Sequence, residues 1–275
     1  MIYREYEGFA SVYDRMMRVV DYGAWADRIA QLIKEYGITR PHPAGTGIST
    51  DKLEQERDLV VDLACGTGNL SFALRERGFD VMGVDRSEEM LMAARDKALL
   101  RGDDTLFLQQ DIRELDLYCT AGTFVCAYDS FNYLLTDDDV MKTLDRVRNF
   151  LYPGGLFIFD FNTLHKYRDV MGDTTFAVHF DADDDRDPSA TFLWENSFFE
   201  EDAVNESTLT FFVRNEEGTY RRFSEIHDQR GFTVDEITDL LKRSGLELTA
   251  SFDGYTDKKP APDTERVVMV VKKRD

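Results

Sequence analysis

Between residues 58 and 163, short apolar runs alternate with segments in which apolar residues recur at helical spacing. The runs are rich in Val, Leu, Ile and Phe, which is typical of strands buried on both faces. In chain order they read DLVVDL, a helix at 69–77, DVMGVD, a helix from Glu88, TLFLQQ, TFVCAY, a helix after Thr136, and GLFIFDF. This alternation predicts an α/β fold with a parallel, doubly wound sheet and right-handed crossovers.

The N-terminal region also carries helical spacing. Apolar residues between 9 and 36 predict two helices, with Gly23 as the break between them and Gly37 as the stop. Residues 38–57 combine prolines, glycines, threonines and charges, so they predict a loop.

A different pattern follows the strand GLFIFDF. Four β-rich segments are separated by polar turns without helices between them, at 174–180, 190–199, 205–214 and 219–229. We therefore expect an inserted antiparallel β lid at 164–230, within a core formed by residues 1–163 and 231–275. In the second part of the core, a capping box at Thr233 starts a helix that Gly245 ends, and two strands, LELTASF and RVVMVVK, close the sheet.

Composition narrows the class of protein. The chain has 275 residues, of which 43% are hydrophobic, so it can bury a substantial core. We expect a cytoplasmic protein, because it has neither a long apolar run nor a basic-then-apolar start. Three cysteines without CxxC spacing and four scattered histidines predict no metal site.

Charge bears on the choice of partner. There are 33 basic and 53 acidic side chains, a formal net charge of -20. Such a surface repels a phosphate backbone, so nucleic acid is disfavoured unless a local basic patch exists. The sequence favours a small-molecule substrate and leaves the oligomeric state open.

The segment DLVVDLACGTGNL contains the most informative turn. Asp62 ends a strand, and Gly66 and Gly68 then let the backbone turn tightly and approach a ligand. The next strand ends at Asp85, where a carboxylate can accept hydrogen bonds from both hydroxyls of a ribose. The third strand ends at Asp111, which could accept the amine of an adenine ring. Together these positions predict a site for a nucleoside cofactor.

Other interpretations remain open for the same residues. Each acid could instead cap a helix or lie in a solvated loop. A nicotinamide-dependent oxidoreductase shares the turn and the second-strand acid, although its usual third glycine would fall near Ser71. A non-catalytic nucleotide-binding protein is a further alternative.

These motifs resemble those of class I S-adenosylmethionine-dependent methyltransferases, and in particular a bacterial subgroup of small, YqeM-like enzymes. The resemblance rests on DLACGTGNL, GVDRSEEML, QQDI, YDSFNYLL, LYPGGLFIFDFN, YEGFASVYDRMM and YRRFSEIHDQRGFTVDEI, and it covers nearly the whole chain. It implies a Rossmann-like core with a seven-stranded sheet and S-adenosylmethionine as cofactor. The cofactor residues it implies are Tyr13, Ala64, Cys65, Gly66, Gly68, Asp85, Asp111, Ile112, Asp129 and Ser130.

Methyl transfer from a sulfonium needs alignment and exclusion of water, with a base only where the acceptor loses a proton. Tyr13 and Asp129 are candidates for stabilising the positive sulfur. His227 is the first candidate for a base, and Glu225, on the same strand face, could orient it. The expected reaction is methylation of a small amine or hydroxyl compound. A tRNA methyltransferase that uses a local basic patch is the alternative acceptor class.

Overall fold

The structure is a computed structural model that describes residues 2–3, 10–42, 49–181, 189–215 and 217–273. The helices are α1 (Ala10–Met16), α2 (Tyr22–Tyr36), α3 (Lys52–Asp58), α4 (Asn69–Arg75), α5 (Glu88–Arg101), α6 (Asp137–Phe150) and α7 (Val234–Ser244). The strands are β1 (Ile2–Tyr3), β2 (Leu59–Leu63), β3 (Asp80–Asp85), β4 (Leu106–Gln109), β5 (Ala121–Cys126), β6 (Leu151–Asn162), β7 (Thr175–Phe180), β8 (Ala190–Phe199), β9 (Val204–Arg214), β10 (Tyr220–Arg230), β11 (Leu246–Asp253) and β12 (Arg266–Lys273).

The central sheet has seven strands in the order β11-β12-β6-β5-β2-β3-β4. Strands β6, β5, β2, β3 and β4 are parallel, whereas β12 runs antiparallel to both β6 and β11. The prediction of a doubly wound sheet that closes with an antiparallel edge pair is therefore confirmed. The strand order reverses beside β2, because β3 and β4 lie on one side of it and β5 and β6 on the other.

Both faces of this sheet are covered by helices. On one face, Val140 and Leu144 of α6 and Leu241 of α7 pack against Phe124 and Phe157 of the sheet. The opposite face has its own apolar cluster, which joins α2 and α4 to the sheet through Ile29, Leu32, Leu70, Leu74 and Val60. Two covered faces explain why the central strands read as continuous apolar runs.

A second sheet lies outside the core, in the order β1-β10-β9-β8-β7. Strands β7 to β10 form the predicted antiparallel meander, and β1 adds to it in parallel beside β10. Helix α1 packs on the same sheet, where Val12 and Tyr13 contact a cluster that contains Leu209, Phe211 and Phe223. The chain's first elements thus lie against the second sheet.

Two expectations for the N-terminal region are wrong. Gly23 lies inside α2 rather than between helices, because the Asp21 side chain accepts a hydrogen bond from the Ala24 amide and caps the helix earlier. The predicted loop 38–57 contains most of α3, which Asp51 caps in the same way. Gly37 does end α2, as predicted. Phe9, residues 43–48 and most of the acidic run at 181–187 lie outside the described residues.

A buried ionic network ties β12, β6 and the loop after β5 together. Arg266 of β12 lies 2.6 Å from a carboxylate oxygen of Asp160 on β6 and 2.6 Å from one of Asp129. Asp160 is fully buried, and it also accepts hydrogen bonds from the Tyr255 hydroxyl at 2.6 Å and from the backbone amides of Tyr128 and Asp129. The network anchors the loop that begins at residue 127 to the centre of the sheet.

Substitution of Asp160 tests this network. Asp160→Ala should lower the free energy of unfolding by about 3 to 5 kcal/mol, because it leaves the Arg266 guanidinium buried without one of its carboxylates. The matched control is Asp239→Ala, since Asp239 and its partner Lys242 are both highly exposed and this pair should contribute less than about 1 kcal/mol. Urea unfolding at pH 7 measures both, and equal effects would contradict the assignment.

Candidate active site

A cavity opens at the carboxyl ends of β2, β3, β4 and β5, where the strand order reverses. Such points are where α/β sheets bind ligands. Seven residues predicted from the sequence line it: Tyr13, Ala64, Gly66, Asp85, Asp111, Ile112 and Ser130. Elements distant in the chain therefore converge on one space.

The turn after β2 is shaped by left-handed backbone. Ala64 has a φ of 53° and Gly66 one of 55°. A Cβ placed on Gly66 would meet no atom within 4 Å apart from those of its two neighbours in the chain, so a side chain here would enter space that the cavity offers to a ligand. Gly68 (φ 77°) differs, because it starts α4 and packs against Phe72 and Phe107 instead of lining the cavity.

Asp85 joins the turn to the next strand. One carboxylate oxygen accepts the amide hydrogen of Gly66 and the other that of Ser87, both at 2.8 Å. Burial raises the pKa of this carboxyl above its usual range, while these two backbone hydrogen bonds favour its charged form. Each oxygen keeps lone-pair capacity, so the residue can still accept the hydroxyls of a ribose.

Asp111 is held by a neighbour that the sequence reading did not single out. Arg113 contacts both of its carboxylate oxygens, at 2.9 and 2.6 Å, and the pairing lowers the pKa of Asp111. Arg113 itself lines the cavity, together with Arg86 and Met90. In the sequence, an arginine two residues after the acid was the feature that could have indicated this ion pair.

The loop after β5 supplies another wall. Tyr128 (φ 59°) and Asp129 (φ 52°) both adopt left-handed backbone, which is uncommon for side chains of this size. Tyr128 and Ser130 line the cavity, but the Asp129 carboxylate contacts Arg266 and accepts a hydrogen bond from Gln229 Nε2 at 2.8 Å. The Asp129 carboxylate therefore does not line the cavity.

A smaller cavity adjoins the first, and the two share Tyr13, Ala64, Tyr128 and Ser130. Cys65 lines it, as does Asp62 at the end of β2. The Asp62 carboxyl accepts a hydrogen bond from the Ser71 hydroxyl at 2.6 Å. Complete burial, with Asp85 nearby, raises the pKa of Asp62 to about 7.

Tyr13 reaches the cavity because α1 is bound to the glycine turn. The carboxylate of the adjacent residue, Asp14, accepts hydrogen bonds from the Thr67 hydroxyl at 2.6 Å and from the Asn69 amide at 3.0 Å. It also pairs with Lys97 of α5 at 2.9 Å. Sequence reasoning missed Asp14, because nothing in its spacing connects it to residues fifty positions away.

His227 does not line either cavity. The imidazole is buried, with Nδ1 2.8 Å from the Tyr133 hydroxyl and Nε2 3.2 Å from Glu225. Tyr133, by contrast, lines the cavity. Tyr133 therefore connects the predicted base, His227, to the cavity. The sequence shows Tyr133 within the motif YDSFNYLL, but nothing there predicts a role for it in the chemistry.

The comparisons agree with this geometry. A family model described as a methyltransferase domain matches residues 60–155. The chain is 35% identical to the putative methyltransferase YqeM of Bacillus subtilis over 98% of this chain and 97% of that protein. The crystal structure of an S-adenosylmethionine-dependent methyltransferase from Clostridium acetobutylicum is 33% identical and superposes with a TM-score of 0.80, covering 98% of this chain and 99% of the other.

A third comparison concerns the fold. The sugar N-methyltransferase KedS8 of Streptoalloteichus is 20% identical, with a TM-score of 0.74 over 96% of this chain and 93% of its own.

The similarity to YqeM and to the Clostridium enzyme shows the family. The chain belongs to the S-adenosylmethionine-dependent methyltransferases, within the group that includes YqeM. Its cofactor is S-adenosylmethionine, and the open space at Gly66 beside the Asp85 carboxylate fits an adenosyl group.

Two features are absent from residues 2–3, 10–42, 49–181, 189–215 and 217–273. No helix within them is both long and apolar enough to cross a membrane. In the same part of the chain, no group of three or more His, Cys, Asp or Glu side chains is arranged to hold a metal ion.

Asp85→Ala tests the placement of the ribose. We expect it to weaken binding of S-adenosylhomocysteine by about 1.5 to 3 kcal/mol, the loss typical of charge-assisted hydrogen bonds. Asp80→Ala is the matched control, because Asp80 begins the same strand at its opposite end and should leave affinity unchanged. Titration calorimetry gives both affinities, and normal binding by Asp85→Ala would show that the ribose lies elsewhere.

Asp62 predicts a dependence of stability on pH. Its pKa is raised in the folded protein from 3.8 to about 7, so between these values the folded state holds a proton that the unfolded chain releases. Stability from this group is therefore present at low pH and is lost as pH rises towards 7, by an amount on the order of 4 kcal/mol. Asp62→Asn should remove this decline in urea unfolding measured from pH 4 to 8. Parallel profiles for the two proteins would refute the raised pKa.

Proposed function

We propose that the protein methylates a small-molecule amine or hydroxyl acceptor, which binds between the cofactor cavity and the second sheet. In this proposal residues 1–163 and 231–275 form the core, and residues 164–230 form the substrate lid, against which β1 and α1 of the N-terminal segment lie. S-adenosylmethionine supplies the methyl group as a sulfonium. The protein contributes binding, alignment and exclusion of water.

The cofactor assignment follows the cavity walls. The backbone at Ala64, Cys65 and Gly66 holds the methionine portion, while Gly68 starts the helix that supports this turn. Asp85 accepts the ribose hydroxyls, and Asp111 with Ile112 addresses the adenine. Tyr13 and Ser130 lie at the reactive end. Asp129 acts there by positioning, since its carboxylate is committed to Arg266 and Gln229.

The position of Tyr13 is the observation that supports a small-molecule acceptor. Its side chain lines the cavity and also packs against the apolar cluster of Leu209, Phe211 and Phe223 on the second sheet. The reactive end of the cavity therefore lies beneath α1 and this sheet. Such a covered space suits a compact acceptor, because a polymer would have to displace both elements.

The position of basic side chains supports the same proposal. Lys34, Arg40, Arg57 and Arg77 line a groove, but they do so beside Phe79, at the amino ends of the parallel strands. That edge is about one strand length, roughly 15 to 20 Å, from the cavity. A phosphate backbone bound to this patch would lie away from the reactive end. Arg113, which does line the cavity, is paired with Asp111 and Asp139, and both observations disfavour the tRNA alternative.

The nature of the acceptor and the cofactor can be tested together. Calorimetry should show binding of S-adenosylmethionine and S-adenosylhomocysteine and no heat with NAD. Labelled S-adenosylmethionine should then transfer its methyl group to members of a panel of aminosugars, amino acids and simple alcohols. The N-methylated aminosugar class is included because the name of KedS8 specifies a sugar nitrogen.

The control for this assay is an equal amount of bulk tRNA as acceptor. Labelling of tRNA, with no labelling of any small molecule in the panel, would overturn the small-molecule proposal. Preference for NAD over S-adenosylmethionine would contradict the cofactor itself.

A further inference from the structure

We propose that Tyr133 is a catalytic residue that accepts the proton of the methyl acceptor while it passes its own hydroxyl proton to His227, and that Glu225 positions His227 and stabilises its charge. This inference rests on the proposed function, because it assigns the base of the same reaction. It extends that function by naming the group that faces the acceptor.

Three polar groups form a continuous chain from the cavity into the second sheet. Tyr133 lines the cavity, and its hydroxyl lies 2.8 Å from Nδ1 of His227. Nε2 of His227 lies 3.2 Å from Oε2 of Glu225. The last two side chains are 4% and 0% exposed, so the inner end of the chain is shielded from bulk water.

The hydrogen-bond pattern sets the direction of proton movement. A carboxylate only accepts hydrogen bonds, so Nε2 carries the hydrogen and donates it to Glu225. In the neutral imidazole Nδ1 is then the acceptor, and the Tyr133 hydroxyl donates to it. A phenolic hydroxyl is both a donor and an acceptor, so the Tyr133 oxygen can take up a proton as it gives its own to His227.

Tyr133 is held firmly relative to β10, the strand of His227. The preceding residue, Asn132, is fully buried and donates hydrogen bonds to the carbonyl oxygens of Arg230 at 2.6 Å and Asn162 at 2.9 Å. Gln229 of β10 also reaches the loop, through Asp129. These contacts fix the distance between the tyrosine and the histidine, which a general base requires.

The step balances without a further reactant. A lone pair of the acceptor nitrogen or oxygen forms a bond to the methyl carbon, and the sulfur–methyl bond breaks with its electron pair remaining on sulfur. The acceptor's proton passes to the Tyr133 oxygen while the Tyr133 hydroxyl proton passes to Nδ1 of His227. The Glu225 carboxylate stabilises the resulting imidazolium. After the product leaves, the proton returns through the Tyr133 oxygen to water in the cavity.

Kinetics of conservative variants test this proton relay from the acceptor through Tyr133 to His227. With an acceptor from the panel, Tyr133→Phe should lower kcat by about tenfold to a thousandfold and leave the affinity for S-adenosylhomocysteine within about twofold. His227→Gln should act similarly, and the double variant should be no slower than the slower single one, because the residues work as a unit. Tyr118→Phe and His179→Gln are controls at exposed positions.

The opposite kinetic outcomes overturn the relay. If Tyr133→Phe retains the normal kcat while the unaltered enzyme is active, Tyr133 is not the base. If the losses of the single variants multiply, the two residues act independently. Absence of methyl transfer by the unaltered enzyme would instead contradict the proposed function, and a measurement that needs no acceptor then decides the relay.

That measurement is nitrogen NMR of the ¹⁵N-histidine-labelled protein with S-adenosylhomocysteine. The His227 signals, identified by their loss in His227→Gln, should show a neutral ring with hydrogen on Nε2, and Glu225→Gln should perturb the Nε2 signal. Hydrogen on Nδ1 would contradict the relay, because Tyr133 could then not donate its proton to the ring.

Discussion

The site depends on carboxylates at the ends of parallel strands that accept backbone amide hydrogens from the loop of the adjacent strand. Asp85 of β3 binds the amide of Gly66 after β2, and Asp160 of β6 binds the amides of Tyr128 and Asp129 after β5. In both cases the amides belong to or adjoin left-handed backbone. Hydrogen bonds to charged acceptors offset the cost of that conformation and hold the loops apart as walls of one cavity.

This arrangement divides the site into two halves. The cofactor half is built on the central sheet, where short strands and buried acids leave little freedom. The half that the proposed function assigns to the acceptor includes Tyr13 and Tyr133. Polar contacts of Asp14, Asn132 and Asp129 connect the loops of the central sheet to α1 and to the second sheet.

Much of this arrangement is legible in the sequence because burial leaves a strong pattern. Strands covered on both faces must be apolar throughout, and the glycines after β2 mark the turn that approaches the cofactor. The sequence predicts the two acids of the site for the same reason, since parallel strands end at one edge: Asp85 ends β3, and Asp111 lies two residues beyond the end of β4. The capping box at Thr233 was equally clear and is present in α7.

The features that the sequence did not predict depend on contacts between residues far apart in the chain, or on segments without a regular spacing of apolar residues. Helix α3, with the sequence KLEQERD, lacks an apolar stripe, so its composition predicts a loop. The sequence predicts that Asp129 faces the cofactor. Its carboxylate instead pairs with Arg266, because the backbone at residues 128 and 129 is left-handed and directs the side chain away from the cavity. The pairing of His227 with Tyr133 joins residues ninety-four positions apart, a distance that only the packing of the second sheet defines.

A crystal structure of the protein with S-adenosylhomocysteine would test the shared cavity most directly. The ribose hydroxyls should lie within hydrogen-bond distance of the Asp85 carboxylate, the adenine beside Asp111 and Ile112, and the sulfur at the end lined by Tyr13 and Tyr133. An adenosyl group bound away from these residues, or one that leaves Asp85 without a ribose contact, would contradict this site.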